Sequence, residues 1–73
     1  MKPGDLVRTK LDIMSTMMTT EVGSSLNKGN YFVRDLNSKE IALVLQCSDL
    51  DDEALILIDA CYGWASMNRL TVI

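Results

Sequence analysis

Two segments in the second half of the chain alternate their side chains with a period of two, and both resulting faces are apolar. In residues 40–47, one set consists of Ile41, Leu43, Leu45 and Cys47, and the other of Ala42, Val44 and Gln46. In residues 54–62, the alternating sets are Ile56, Ile58 and Ala60 against Leu55, Leu57 and Cys61. A period of two is that of a β-strand. Because a strand in a small isolated sheet buries one face and wets the other, we expect another segment or another copy of the chain to cover the second face.

The two ends of the chain predict strands that close a small barrel around these central ones. Residues 4–10 read as the first strand, and a turn at Tyr62-Gly63 leads into residues 64–66, a helical turn over 67–69 and a last strand over 70–73. The acidic residues 48–53 form a solvated hairpin loop between the central strands. The chain therefore predicts one all-β domain, residues 1–73, built as a five-stranded barrel.

Residues 11–30 are predicted as a long early loop. Leu11, Met14 and Met18 have a helical spacing, but the threonine-rich background disfavours a helix. The alternatives within this loop are a helical turn and a loose hairpin. Gly23, Gly29 and the serines and asparagines between them are typical of a connecting loop.

The small size of the domain indicates self-association. A chain of 73 residues buries too little surface to be more than marginally stable alone, so it needs disulfides, a metal or a partner. The two cysteines, Cys47 and Cys61, form no C-x-x-C pair, and the chain has no histidine. We therefore expect reduced, buried thiols in a cytoplasmic protein. The predicted homo-oligomer interface consists of Ala42, Val44, Ile56 and Ile58.

The charge is unevenly distributed along the chain. Residues 1–39 carry six basic and four acidic side chains, whereas residues 40–73 carry one basic and six acidic ones. Domains that bind nucleic acid are usually basic, whereas this chain is acidic, with a pI of about 4.6. Its net charge therefore favours a protein partner. The basic first half nevertheless supports RNA or single-stranded DNA binding as an alternative, because Tyr31 and Phe32 are adjacent aromatics between basic residues. Its candidate residues are Lys28, Tyr31, Arg34 and Lys39.

Catalytic chemistry is not predicted. Without histidine, a serine or cysteine hydrolase of the familiar type has no base to activate its nucleophile. Asp49, Asp51 and Glu53 alternate as in a calcium loop, but Ala54 follows where such a loop has its glycine, so a solvated turn is favoured. We predict no enzyme activity, no metal and no cofactor.

Trp64, the one tryptophan, has two interpretations. As a core residue it fills the barrel, and as a half-exposed groove wall beside Tyr62 it holds a peptide. The core interpretation is favoured because no other side chain of this size is present.

The opening Lys-Pro-Gly-Asp-Leu-Val-Arg (residues 2–8) and the ending Gly-Trp-Ala-Ser-Met-Asn-Arg-Leu-Thr-Val-Ile (residues 63–73) resemble the small Src-homology-3-like barrel proteins of tailed-phage and marine viral genomes. Some of those proteins have an Sm-like ring architecture. The resemblance implies a fold and self-assembly, with host cytoplasm as the location and a phage or host protein as a further partner. The Asp-x-apolar-x-Asn and Arg-Gly motifs of Sm proteins are absent here, so it does not extend to RNA binding of the Sm kind.

The sequence therefore predicts a non-catalytic binding or assembly module that self-associates. Nucleic-acid binding and a peptide-binding adaptor at Trp64 are the alternatives. The apolar runs are too short to cross a bilayer and no apolar stretch follows Met1-Lys2, so we expect neither a membrane partner nor a secretory signal.

Overall fold

The computed structural model describes residues 1–20 and 31–73, and this part of the chain is all-β, as predicted. Its elements are β1 (Leu6–Thr9), β2 (Ile13–Met18), β3 (Phe32–Asn37), β4 (Ala42–Ser48), β5 (Glu53–Ile58), β6 (Cys61–Ser66), a 3-10 turn (Met67–Arg69) and β7 (Leu70–Val72). The described residues thus form seven strands where the sequence predicted five.

The strands form two antiparallel sheets. Five strands pair in the order β6-β5-β4-β1-β7, and β2 pairs with β3 in a separate hairpin. Thr19, just after β2, bridges Tyr62 of β6 through two backbone hydrogen bonds of 2.8 and 2.7 Å. The described strands do not close into a barrel, so the predicted closure is not found.

The hydrophobic core lies between the hairpin and one face of the five-stranded sheet. Val7, Val44 and Ile56 supply fully buried side chains from the sheet, and Met14 and Met18 pack on them from β2. Residues 13–18, predicted as loop, are therefore a strand that alternates between exposed and buried positions. A spacing of four residues fits a strand face as well as a helix face, so the methionine pattern does not distinguish them.

A two-residue turn at Asp59 and Ala60 divides the predicted strand 54–62 into β5 and β6. Both residues have positive φ, 50° and 62°, as a type I′ hairpin turn requires. The sequence predicts this turn at Tyr62-Gly63 instead, because glycine is common in tight turns, whereas alanine at a positive φ is uncommon.

Gly63 instead lies within β6, where β2 crosses it. A Cβ added there would lie 2.5 Å from the carbonyl oxygen of Met17 and 3.0 Å from Cγ of Met18. The glycine is therefore required by the close approach of two strands rather than by a turn.

The predicted helical turn and last strand are confirmed: a 3-10 turn covers residues 67–69, and β7 follows. β7 pairs with β1, so the two predicted terminal strands are neighbours. No helix in the described ranges has the length and apolarity needed to span a membrane.

Candidate functional site

An apolar surface lies on the side of the five-stranded sheet that faces away from the core. We call it the outer face, and its main members are Leu6, Ile41, Leu43, Leu57 and Ile73. Leu6 is 49% exposed, Ile41 54% and Ile73 60%, while Leu43 and Leu57 are half-buried. Large apolar side chains left in water over several adjacent strands are typical of a surface that meets a partner.

The strand register brings these side chains into one row. Leu6 of β1 is opposite Leu43 of β4, Leu43 is opposite Leu57 of β5, and Leu57 is opposite Tyr62 of β6. The backbone N–H of Ile73 donates to the carbonyl oxygen of Leu6 at 2.9 Å, which extends the row beyond β1. Cross-strand neighbours of this kind pack directly against one another, so the outer face is continuous across the sheet.

The residues predicted for self-association lie on the opposite side. All four belong to the buried core cluster of this chain: Ala42, Val44, Ile56 and Ile58. They are therefore not accessible to a second copy, and the exposed apolar side chains of these strands belong to the other alternating set. A period of two separates the two faces of a strand, but it does not say which face the β2–β3 hairpin covers.

A β-bulge in β4 also changes which of its side chains lie on each side of the sheet. Val44 is opposite Ile56 and Gln46 is opposite Leu55, which leaves Leu45 as an extra residue. Beyond the bulge, Cys47 is opposite the fully buried Ala54 and packs against the core, although simple alternation grouped it with Ile41 and Leu43.

The residues predicted for nucleic-acid binding have different surroundings in the structure. Lys28 lies outside the described residues, Tyr31 is exposed before β3, and Lys39 lies in the turn after β3. Arg34 is engaged in the protein: its Nη2 donates to Glu40 Oε2 at 3.0 Å and to Asp59 Oδ2 at 2.6 Å. With 22% of its side chain exposed, Arg34 ties the hairpin to the β5–β6 turn, and its Nη1 is buried without a hydrogen-bond partner among the described residues.

Lys39 instead lines a groove with residues of β1 and β7. This basic groove has a volume of about 490 Å³. Its lining consists of Arg8, Thr9, Lys10, Ser38, Lys39 and Thr71. Sequence reasoning missed Arg8 and Lys10 because the pairing of β1 with β7, and the position of the β3–β4 turn beside them, are long-range features.

Trp64 is half-buried and lies outside the core cluster, so its prediction as a core residue is wrong. β6 alternates, with Cys61, Gly63 and Ala65 buried and the intervening residues partly exposed. Trp64 separates two grooves: one of about 340 Å³ beside Asp51 and Glu53, and one of about 490 Å³ between β2 and β6, beside Met17 and Arg69. Met14 and Met18 of β2 provide the core volume that the sequence assigned to the tryptophan.

The two cysteines are thiols in different settings. Cys47 is half-buried, and Cys61 is buried with its Sγ 3.4 Å from the carbonyl oxygen of Asp59. Within residues 1–20 and 31–73, no three histidine, cysteine or carboxylate side chains are grouped as a metal site would require.

Comparison of the chain with protein-family models, with curated proteins and with solved structures finds no match. The class that the fold and surfaces define is therefore the coarse one: a small all-β protein with an apolar outer face and a basic groove next to it.

Proposed function

We propose that this protein is a non-catalytic assembly module that self-associates through the outer face of its five-stranded sheet. The fold proposed with it is an open relative of the small Src-homology-3-like and Sm-like barrels of phage type. The pairing of β1 with β7 and the 3-10 turn before β7 support that likeness. The complete absence of histidine supports the non-catalytic part.

One observation carries the proposal: a row of apolar side chains crosses the outer face and stays substantially exposed in a single chain. Full burial of a leucine or isoleucine side chain contributes about 1.5–3 kcal/mol, so each half-exposed one leaves roughly 1 kcal/mol unrealised. A second copy placed on this face recovers that energy from both surfaces at once. Face-to-face packing of two sheets, about 10 Å apart, is an ordinary way to bury such rows.

The size of the molecule is compatible with such an interface. A stable interface buries about 800 Å² on each partner. The whole chain exposes 4646 Å², so an interface of that size covers roughly a sixth of its surface. The outer face spans several strands of the larger sheet, and its centre is apolar, as the centre of a homodimer interface is.

The test is the solution mass of the wild type and of variants that place a charge on the outer face. We expect the wild type to exceed its monomer mass of 8.1 kDa at micromolar concentration, in light scattering or sedimentation. Ile41→Glu and Leu6→Glu should each reduce it to a monomer, because an unpaired carboxylate would be buried in the interface.

Leu50→Glu is the matched control, since Leu50 is 95% exposed in the β4–β5 loop and lies away from the outer face. This variant should keep the wild-type mass. Circular dichroism should show that all four proteins are folded. A wild type that stays monomeric throughout the concentration range would overturn the proposal.

Peptide binding at Trp64 is a second candidate, and the two grooves beside the tryptophan favour it. The indole of Trp64 provides an apolar wall for both grooves, and Met17 adds to it in one of them. Glu53 and Arg69 supply charges of both signs. Selection from a random peptide library tests it: enriched peptides should shift the tryptophan emission and lose affinity in Trp64→Ala. Enrichment of the same peptides on Trp64→Ala would contradict this candidate.

A further inference from the structure

The basic groove is lined by hydroxyl and cationic side chains. Three of the six lining residues are cationic, Arg8, Lys10 and Lys39, and the other three carry hydroxyl groups. In the part of the chain that the structure describes, neither a carboxylate nor an apolar side chain lines it. The centre of a protein-protein interface is typically apolar and aromatic, whereas contacts to nucleic-acid phosphates come from arginine, lysine, serine and threonine.

The positive charge of the groove is not neutralised by the carboxylate nearest in the sequence. Glu40 follows Lys39, but its two oxygens are used elsewhere. Oε2 accepts from Arg34 at 3.0 Å, and Oε1 accepts from the Asn37 side-chain amide at 3.1 Å. In the described part of the chain, the ion pairs that form involve Arg34 and not the three cations of the groove.

The backbone on both sides of the groove is held by hydrogen bonds. Arg8 is opposite Thr71 in the β1–β7 ladder, and the N–H of Lys10 donates to the carbonyl oxygen of Arg69 at 2.8 Å. On the other side, the N–H of Lys39 donates to Asn37 Oδ1 at 2.9 Å, which orders the β3–β4 turn. The side chains of Arg8 and Lys10 are two residues apart, so they project from the same side of the chain, about 7 Å from each other.

We infer that this groove binds the phosphodiester backbone of a nucleic-acid strand. The three cations match two or three successive phosphates, and the hydroxyl groups of Ser38 and Thr71 supply further donors. The hydroxyl of Thr9 is buried and already donates to the carbonyl oxygen of Arg69 at 3.3 Å. Among residues 1–20 and 31–73, no aromatic side chain lines the groove for base stacking, so we expect binding to depend little on sequence. Because phosphate contacts release counterions, we expect measurable affinity at low salt and a loss of affinity as salt rises, while the net charge of -3 keeps the overall affinity low.

The experiment is fluorescence anisotropy with labelled single-stranded RNA, single-stranded DNA and duplex DNA, each at about 20 and 150 mM salt. We expect binding at low salt, with log K falling against log salt with a slope of about -2 for three phosphates of a single strand. The double variant Lys10→Gln/Lys39→Gln should bind at least about tenfold more weakly and lose about 1.4 from the slope.

The matched control removes one positive charge from outside the groove. Lys2→Gln has the same net charge as the single groove variant Lys39→Gln, and Lys2 does not line the groove. Its affinity should stay within about threefold of wild type, because only long-range attraction changes, whereas Lys39→Gln should lose about 0.7 from the slope. Equal weakening by the two single variants would show a general charge effect and overturn the inference.

Two anionic competitors test whether the groove binds a different kind of negatively charged ligand. Inorganic pyrophosphate that displaces the strand at equal phosphate concentration would show a small-phosphate site, and polyglutamate that displaces it equally well would show a site for acidic protein. Either result overturns the assignment to nucleic acid, as does absence of binding at low salt. The groove variants leave the outer face unchanged, so a wild type that binds the strand as a monomer refutes the proposed self-association while supporting this inference.

Discussion

At the residue scale, the β5–β6 turn places an alanine in a conformation that suits glycine better. Ala60 has φ 62°, in the left-handed region, where an L side chain approaches its own backbone closely. Asp59 shares the region, but aspartate tolerates it and also accepts from Arg34. The strain at this turn is therefore concentrated at Ala60.

Replacing Ala60 by glycine should stabilise the protein. Relief of the left-handed strain exceeds the entropy that glycine adds to the unfolded chain, so we expect a gain of roughly 0.5–1 kcal/mol in the free energy of unfolding. Urea denaturation measures it. The same change at the buried Ala65, inside β6, should destabilise, because glycine there only removes packing and adds chain entropy. A loss of stability in Ala60→Gly would contradict the left-handed assignment.

At the element scale, the strands that alternate strongly could be predicted from the sequence, and the hairpin between them could not. β4, β5, β7 and the 3-10 turn correspond to predicted elements, because their patterns are local. β2 was missed because its buried set, Met14, Thr16 and Met18, mixes polar and flexible side chains. Its burial depends on packing against β6, which is distant in the sequence.

The same packing makes Gly63 the most sensitive position of β6. In Gly63→Ala the new Cβ meets the Met17 carbonyl oxygen, a backbone atom that moves only if β2 moves. We expect a loss of about 2–3 kcal/mol, and hydrogen exchange should quicken at the amides of Thr19 and Tyr62. Ser66→Ala, at a half-buried position of the same strand, should cost less than about 0.5 kcal/mol. Unchanged stability in Gly63→Ala would mean that the two strands do not approach so closely.

At the scale of the whole molecule, the site residues were harder to predict than the fold. Lys39 was predicted to bind nucleic acid, and the groove that it lines also contains Arg8 and Lys10, from the start of the chain. Arg34 was predicted to do the same, but it forms ion pairs with Glu40 and Asp59 that exist only after the turn and the hairpin meet. Residue type indicated the chemistry, whereas long-range pairing decided which charges remained available.

If the outer face joins two copies, thermal stability should depend on protein concentration. Association stabilises the folded state by mass action, so the midpoint of thermal unfolding should rise by roughly 5 °C over a hundredfold increase in concentration. Differential scanning fluorimetry measures this, and Ile41→Glu should remove the dependence. A midpoint that is the same at all concentrations in the wild type would oppose folding-coupled association.

The bulge in β4 has a consequence for how this chain can change length. Leu45 is the residue that the ladder with β5 leaves over, since Val44 and Gln46 already face successive partners, Ile56 and Leu55. Loss of the Leu45 codon would join those two pairs into a regular ladder and preserve every other register. Loss of one codon within β5 would instead shift the register of part of that strand by one residue, which moves its buried side chains to the opposite face of the sheet. We therefore expect the β4–β5 ladder to tolerate deletion of Leu45 better than deletion of a regularly paired residue.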